Sequence, residues 1–202
     1  GFDRRKAAEV LSDMKEESQK NPAPVSGGTT GSRKTAGADA AADTAQTGRD
    51  GLPEEIGAFT SGEFIGIEKV NDPTFAQKIL GDGVAIVPSE GKIYAPCDCA
   101  VEMVMDTKHA VGLRTAAGSG ILIHVCIDTV NLQGKYFEVH AADGQVLKKG
   151  DLIMEFDKDK IKAAGYDTSA CLIFTESAGG THVDREPEHT VKAGEKIAVI
   201  TM

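Results

Sequence analysis

His124 lies in the middle of the most strand-like stretch of the chain, residues 120–130. This stretch is a short apolar run rich in β-branched residues and flanked by glycines, which predicts a buried strand. Because side chains alternate across a strand, one face should carry four side chains: Leu122, His124, Cys126 and Asp128. The intervening aliphatic residues should face a core. We interpret His124, on the other face, as a nucleophile.

A second histidine, His109, lies in a stretch that should be a strand entered from a turn, with His109, Val111 and Leu113 on one face. An antiparallel return would bring His109 beside His124, with Cβ atoms about 4.5–5.5 Å apart. A neutral imidazole is nucleophilic near pH 7, and a second imidazole can donate a hydrogen bond to phosphoryl oxygens. The pair therefore predicts a phosphoryl-transfer site, in which Asp128 would orient either ring.

Three other interpretations stay open at this point. The two histidines could be ordinary core residues with satisfied hydrogen bonds. Zinc takes three protein ligands in many catalytic sites, and His109, His124 and Cys126 offer nitrogen and sulfur. A lipoyl or biotinyl carrier presents a lysine at a hairpin tip, as Lys108 would, but the folded region is about twice the length such a carrier needs. The remaining histidines have polar neighbours and should lie on the surface: His140, His182 and His189.

Charge and cysteine content limit the class of protein. The net charge of -9 argues against nucleic acid as a partner, because phosphate binding needs a basic stripe. An acidic protein of this kind is suited to basic partners. The four cysteines form no C-x-x-C motif, which indicates reduced thiols rather than a disulfide framework. No apolar run reaches the roughly 18–20 residues that a membrane span needs.

Composition divides the chain into three parts. Residues 1–20 have apolar side chains at helical spacing and are predicted to be the terminal helix of a preceding domain. Residues 21–55 are rich in Ala, Gly and Thr and are predicted to be a flexible linker, because they bury too little surface to offset the entropy of ordering. Residues 56–202 contain short apolar runs cut by Gly, Pro or Asp, which predict an all-β sandwich or barrel.

The predicted strands and helices follow from those runs. Two short helices should interrupt the strands, at residues 73–79 and 158–164. The strand-like runs lie at residues 62–67, 83–88, 92–95, 100–105, 110–114, 120–127, 145–146, 151–156, 170–174 and 196–201. Residues 145–153 and 190–197 echo each other, since in both a Val, a basic turn, a Gly and an acid lead into an apolar strand. This echo predicts two similar corners related by pseudo-symmetry.

Several motifs occur in order along residues 56–202: N-D-P-T-F-A-Q-K-I-L-G-D-G-V-A-I at 71–86, Ala95-Pro96, T-K-H-A at 107–110, G-I-L-I-H-V-C-I-D-T-V at 120–130, Gly134-x-x-Phe137, Gly150-Asp151 and Phe156-Asp157. Together they resemble the glucose-type enzyme IIA domain of the bacterial phosphoenolpyruvate-dependent sugar phosphotransferase system. The resemblance implies an antiparallel β-sandwich, the duplicated barrel-sandwich hybrid.

The resemblance also implies a set of roles. His124 would accept a phosphoryl group from the carrier protein HPr and pass it to a cysteine of an enzyme IIB domain. His109 would stabilise the phosphohistidine, and three further positions match residues around that site: Asp128, Thr107 and Val130. No cofactor and no metal are implied.

Two positions depart from the family, and the N-terminal segment extends beyond it. Cys126 and Cys99 stand where the family usually has glycine, so Cys126 adds bulk beside the nucleophile. A helix followed by a linker resembles the end of a larger sugar transporter, which would place the domain in the cytoplasm, tethered through an upstream membrane sugar permease. The alternative is a regulatory module of a cation-coupled sugar symporter, controlled by phosphorylation of His124.

Overall fold

The computed structural model describes residues 53–176 and 182–201, which form an antiparallel β-structure with a few short helices. The strands are β1 (Glu54–Gly57), β2 (Gly62–Gly66), β3 (Gly83–Pro88), β4 (Lys92–Tyr94), β5 (Cys99–Val104), β6 (Ala110–Thr115), β7 (Gly120–Val125), β8 (Phe137–Val139), β9 (Val146–Leu147), β10 (Leu152–Phe156), β11 (Ala170–Glu176), β12 (His182–Arg185), β13 (Thr190–Val191) and β14 (Lys196–Thr201). The predicted terminal helix and most of the predicted linker lie outside the described residues.

Eight strands form the largest sheet, in the order β13-β2-β3-β11-β7-β6-β5-β9. Every neighbouring pair in it is antiparallel. The strand that carries His124, β7, lies in the interior of this sheet between β11 and β6. Two smaller sheets, β1-β14-β12 and β4-β10-β8, are also antiparallel.

A single large apolar cluster holds these sheets together. It is built mainly from Ile, Val, Leu and Ala with a few Phe side chains, and most of its members are fully buried. Strands that contribute alternate residues to such a cluster bury one face, which is the pattern that the sequence predicts. The predicted all-β antiparallel fold is therefore confirmed.

Each of the ten predicted runs overlaps a strand, but four observed strands were not predicted: β1, β8, β12 and β13. Three of these strands contain a single large apolar residue and β8 has only three residues, so none of the four contains a run of apolar residues. Strand β1 begins inside the predicted linker, at its C-terminal end. Glu54 and Glu55 belong to this strand, because they pair with Ile200 and Val199 of β14.

The internal echo of the sequence corresponds to two equivalent corners. Strands β9 and β13 lie at opposite edges of the large sheet, and each leads into the central strand of a small sheet, β10 or β14. In both corners the acid after the glycine accepts a hydrogen bond from a lysine amide, Asp151 from Lys148 at 2.8 Å and Glu195 from Lys192 at 3.1 Å. The pseudo-symmetry predicted from the echo is confirmed.

The two predicted helices are present and shorter than predicted. Helix α1 (Pro73–Ala76) begins at an N-cap, Asp72, whose side chain accepts a hydrogen bond from the Thr74 amide at 2.8 Å. Helix α2 (Lys158–Ala163) is capped in the same way by Asp157. No helix in the described part of the chain is both long enough and apolar enough to cross a membrane.

Candidate functional site

Strand β7 separates two apolar clusters and places His124 on the side of the smaller one. Ile121, Ile123 and Val125 point into the large core, whereas Leu122 packs in a second cluster. We call this the site cluster, and its buried members are Ile67, Val70, Phe75, Ala85, Met105, Ala110, Leu122, Ile127, Cys171 and Ile173. On the same face of the sheet, His124 lies opposite Ala110 on β6 and Cys171 on β11. The predicted alternation therefore holds as far as Val125.

Beyond Val125 the predicted alternation is wrong. The strand ends there, and Cys126 adopts a left-handed backbone conformation with φ of 63°. This turn sends the Cys126 side chain into the large core and Ile127 into the site cluster, the reverse of the prediction. Cys126 thus does not share a face with His124.

His109 lies in the turn before β6 and not, as the sequence predicted, in the strand itself. Strand β6 begins at Ala110, and Lys108 before it is left-handed with φ of 58°. Val111 and Leu113 point into the large core, so His109 does not share their face as predicted. The turn is closed by a hydrogen bond from the Lys108 amide to the Met105 carbonyl at 2.7 Å, and the His109 carbonyl accepts one from the Val125 amide at 2.7 Å.

The two imidazoles nevertheless lie side by side. Their centroids are 4.8 Å apart with the rings nearly perpendicular, and His109 and His124 are only 2% and 4% exposed. The Thr107 hydroxyl is 2.7 Å from Nδ1 of His109, within hydrogen-bond distance. Phe75 of α1 contributes a third ring, with its centroid 5.0 Å from that of His124.

Burial strongly favours the neutral form of His124. Desolvation, followed by the charge of the neighbouring His109, lowers the pKa of His124 to about 3. The nearby Cys126 backbone favours the charged ring and so opposes this shift in part. Nδ1 of His124 nevertheless has no hydrogen bond of good geometry to any described residue. At pH 7 the ring is therefore uncharged, the state in which an imidazole nitrogen can act as a nucleophile.

The other predicted site residues lie in the segment that follows β7. Asp128 is exposed, has a left-handed backbone with φ of 61°, and precedes a 3₁₀ helix, Thr129–Leu132. Val130 in that helix is 40% exposed. Thr129, which is fully buried, donates its hydroxyl to the Val125 carbonyl at 3.1 Å and so fixes the turn after the strand.

The zinc interpretation of His109, His124 and Cys126 is not supported. The Cys126 side chain lies in the large core, on the other side of the sheet from His124, and its Sγ is directed to the Thr168 carbonyl at 3.8 Å. The three remaining histidines are exposed, as predicted, and two of them lie within hydrogen-bond distance of carboxylates: His140 of Glu155 and His189 of Glu195.

Sequence reasoning missed two residues that shape the site, Phe75 and Thr129. Phe75 was recognised as part of a motif, but its contact with His124 joins residues 49 positions apart in the chain and has no local signal. Thr129 comes shortly after an apolar strand, and its buried hydroxyl donates to a carbonyl at the end of that strand. A Thr at such a position is a local signal for this kind of hydrogen bond.

Both the sequence and the fold of this chain are similar to those of known proteins. Residues 54–179 match the family model described as phosphoenolpyruvate-dependent sugar phosphotransferase system, EIIA 1. In solved structures, the glucose permease IIA from Mycoplasma capricolum is similar, with a TM-score of 0.67, 32% sequence identity, and coverage of 73% of this chain and 96% of that one.

Two curated relatives illustrate how the module is used. The glucose-specific EIIA component of Oceanobacillus iheyensis is 38% identical over 71% of this chain and 88% of its own length. The glucose-specific EIICBA component of Streptococcus pneumoniae serotype 4 is 40% identical over 75% of this chain, but the match spans only 21% of that longer protein. The chain belongs to the EIIA 1 family of the phosphoenolpyruvate-dependent sugar phosphotransferase system.

Proposed function

We propose that the domain is a phosphocarrier that accepts a phosphoryl group from phospho-HPr on His124 and donates it to a cysteine of an enzyme IIB domain. The observation that carries the proposal is the contact between two almost fully buried imidazoles, 4.8 Å apart, one of which is held neutral by its surroundings. The IIB and membrane permease domains would belong to the same polypeptide or to separate ones, since relatives of both kinds exist.

His124 would react through Nε2, because Nδ1 is buried and closed to a phosphoryl donor. In that tautomer the ring proton is on Nδ1 and the lone pair of Nε2 is free to attack. The lone pair of Nε2 forms a bond to phosphorus while the donor's bond to phosphorus breaks and returns its electron pair to the donor. In the second step the IIB thiolate attacks the same phosphorus, and the electron pair of the N–P bond returns to His124. The apolar surroundings exclude water, which would otherwise hydrolyse the phosphohistidine.

His109 would stabilise the phosphoryl oxygens. When the Thr107 hydroxyl donates to Nδ1 of His109, the ring proton resides on Nε2 and can be donated to an oxygen of the phosphoryl group. A preorganised donor of this kind acts most strongly in a site shielded from water. The role requires no charge on His109.

The surface around the pair fits a docking face for protein partners. Val130 and Ile79 are large exposed hydrophobic residues. Ile65, Leu80 and Met103 are partly buried against the site cluster. These residues suit the apolar centre of a docking face, and the net charge of -9 favours encounter with basic partners.

Phosphate transfer from radiolabelled phosphoenolpyruvate through enzyme I and HPr tests the acceptor. The chain and its His189→Gln variant, which removes an exposed imidazole, should both be labelled, whereas His124→Gln should not. Labelling that persists in His124→Gln would contradict the assignment.

A second experiment separates His109 from His124. We expect His109→Gln to accept phosphate but to transfer it to a IIB domain about 100-fold more slowly, the effect of losing one preorganised donor. Normal transfer by this variant would contradict the role of His109. If the unchanged chain is labelled yet never donates to any IIB domain, the regulatory symporter module becomes the better interpretation.

A further inference from the structure

A second cluster of metal-ligating side chains lies on the β4-β10-β8 sheet, away from the strands that carry the histidine pair. Glu138 on β8 pairs directly with Glu155 on β10, so their side chains project from the same face of the sheet. His140 is two residues beyond Glu138, and its amide is tied to the Ile153 carbonyl of β10 at 2.8 Å. One ligand atom from each of these three side chains lies within 4.8 Å of the other two.

The cluster brings two carboxylates together beside one lysine ammonium. Two glutamates directly opposite each other on paired strands repel. Glu155 is partly neutralised by Lys92, whose Nζ is 3.4 Å from Oε1, and it accepts a hydrogen bond from Nε2 of His140, 3.0 Å from Oε2. Glu138, in contrast, has no ion-pair partner among the residues that the structure describes.

The donor set is suited to a transition metal of the zinc type. An imidazole nitrogen and two carboxylate oxygens are ordinary zinc ligands, and their two negative charges balance a divalent ion. Ligands at about 2.1 Å in a tetrahedron lie roughly 3.4 Å from each other. The 3.0 Å separation of His140 and Glu155 is already close to that value, so only the Glu138 carboxylate needs to move inward.

We propose that Glu138, His140 and Glu155 form a surface site for Zn²⁺ with an open coordination position. On binding, the proton on Nε2 of His140 moves to Nδ1, so that Nε2 becomes a ligand, and Lys92 is displaced from Glu155. The fourth position is available to water or to a ligand from another molecule. Both glutamates also line a surface groove of about 700 Å³, which gives a partner access to the metal.

Titration of the intact chain with ZnCl₂ by calorimetry, in a buffer that does not chelate zinc, tests the site. The chain should bind one Zn²⁺, and His140→Gln and Glu138→Gln should each weaken binding by at least roughly tenfold. The matched control is His189→Gln, which disrupts another exposed His–Glu pair and should leave the affinity unchanged. Absence of binding by the unchanged chain would overturn the proposal.

Two further variants test where the metal binds and how Lys92 affects it. Zinc binding that survives His140→Gln but disappears in His124→Gln would assign the metal to the histidine pair and overturn the proposal. Lys92→Met removes the cation that competes for Glu155 and should bind Zn²⁺ as tightly as the unchanged chain or more tightly, so weaker binding would also overturn it. Because the three ligands are exposed or half-exposed side chains, circular dichroism of each variant should match that of the unchanged chain.

Discussion

At the scale of single residues, the reactivity of the histidine pair depends on which ring nitrogen carries the proton. Burial keeps His124 neutral, whereas His109 has the Thr107 hydroxyl within hydrogen-bond distance of its Nδ1. A hydroxyl that donates to Nδ1 selects the tautomer with its proton on Nε2. Thr107 is therefore a positioning residue in the proposed mechanism.

Replacement of Thr107 tests this role. Thr107→Val keeps the shape of the side chain but removes the hydroxyl, and loss of about 1 kcal/mol of hydrogen bonding corresponds to roughly fivefold slower transfer to a IIB domain. Thr107→Ser keeps the hydroxyl and should transfer at nearly the normal rate. The ¹⁵N shifts of the His109 ring should change in the Val variant alone. Equal rates in the Val and Ser variants would contradict the role.

Cys126 combines a backbone cost with a packing gain. Its left-handed conformation is unfavourable for any residue with a Cβ, whereas its side chain is completely buried in the large core. A comparison of Cys126→Ala with Cys126→Gly separates the two effects, since both lose Sγ but only glycine relieves the backbone.

We expect Cys126→Gly to be more stable than Cys126→Ala by about 1 kcal/mol, because glycine adopts a positive φ without steric cost. Chemical denaturation of both variants measures the difference. A glycine variant that is less stable than the alanine variant would show that the left-handed conformation carries little cost at this position.

At the scale of elements, helix α1 is too short to be stable alone and depends on its cap. Asp72 accepts a hydrogen bond from the Thr74 amide and precedes Pro73, which is favoured at the first helical position. The same helix carries Phe75, whose ring contacts His124. The cap thus supports one wall of the site.

Asp72→Ala should destabilise the domain by about 1 kcal/mol, whereas Asp72→Asn retains an acceptor oxygen and should cost less. Hydrogen exchange should show faster opening at the Thr74 amide in the Ala variant than in the Asn variant. Equal protection of that amide in both variants would mean that the cap does not hold the helix.

At the scale of the whole molecule, the buried His124 couples folding to pH. Its pKa is about 3 in the folded state, compared with about 6.5 in an unfolded chain. Between these values the unfolded state binds a proton that the folded state excludes, so the free energy of unfolding falls as the pH decreases.

His124→Gln should therefore reduce the loss of stability between pH 6.5 and pH 4 by roughly 1 kcal/mol per pH unit. Denaturant titrations at several pH values measure this slope. His189→Gln should leave this slope nearly unchanged, because hydrogen bonds to the Pro187 carbonyl and Glu195 raise the pKa of His189. Its stabilising contribution is therefore complete below about pH 6.5 and is lost only as the pH rises above that value. An unchanged slope in His124→Gln would contradict the assigned burial.

The sequence by itself determined the features that depend on local periodicity. Alternating apolar residues and short spacings between turns identified ten strands and the all-β class, and the repeated Gly–acid corners identified the pseudo-symmetry. The strand around residue 124 and the pairing of His109 with His124 followed from the same spacing.

Only the tertiary structure decided how the side chains around that pair are arranged. The left-handed residues Cys126 and Lys108 reverse the faces that a regular strand would present, and a positive φ in a non-glycine residue has no signal in the residue type. The contact of Phe75 with His124, the low pKa of His124 and the Glu138–His140–Glu155 cluster all arise between segments far apart in the chain. Long-range packing sets burial and distance, and these two quantities determine the chemistry of the residues that the sequence supplies.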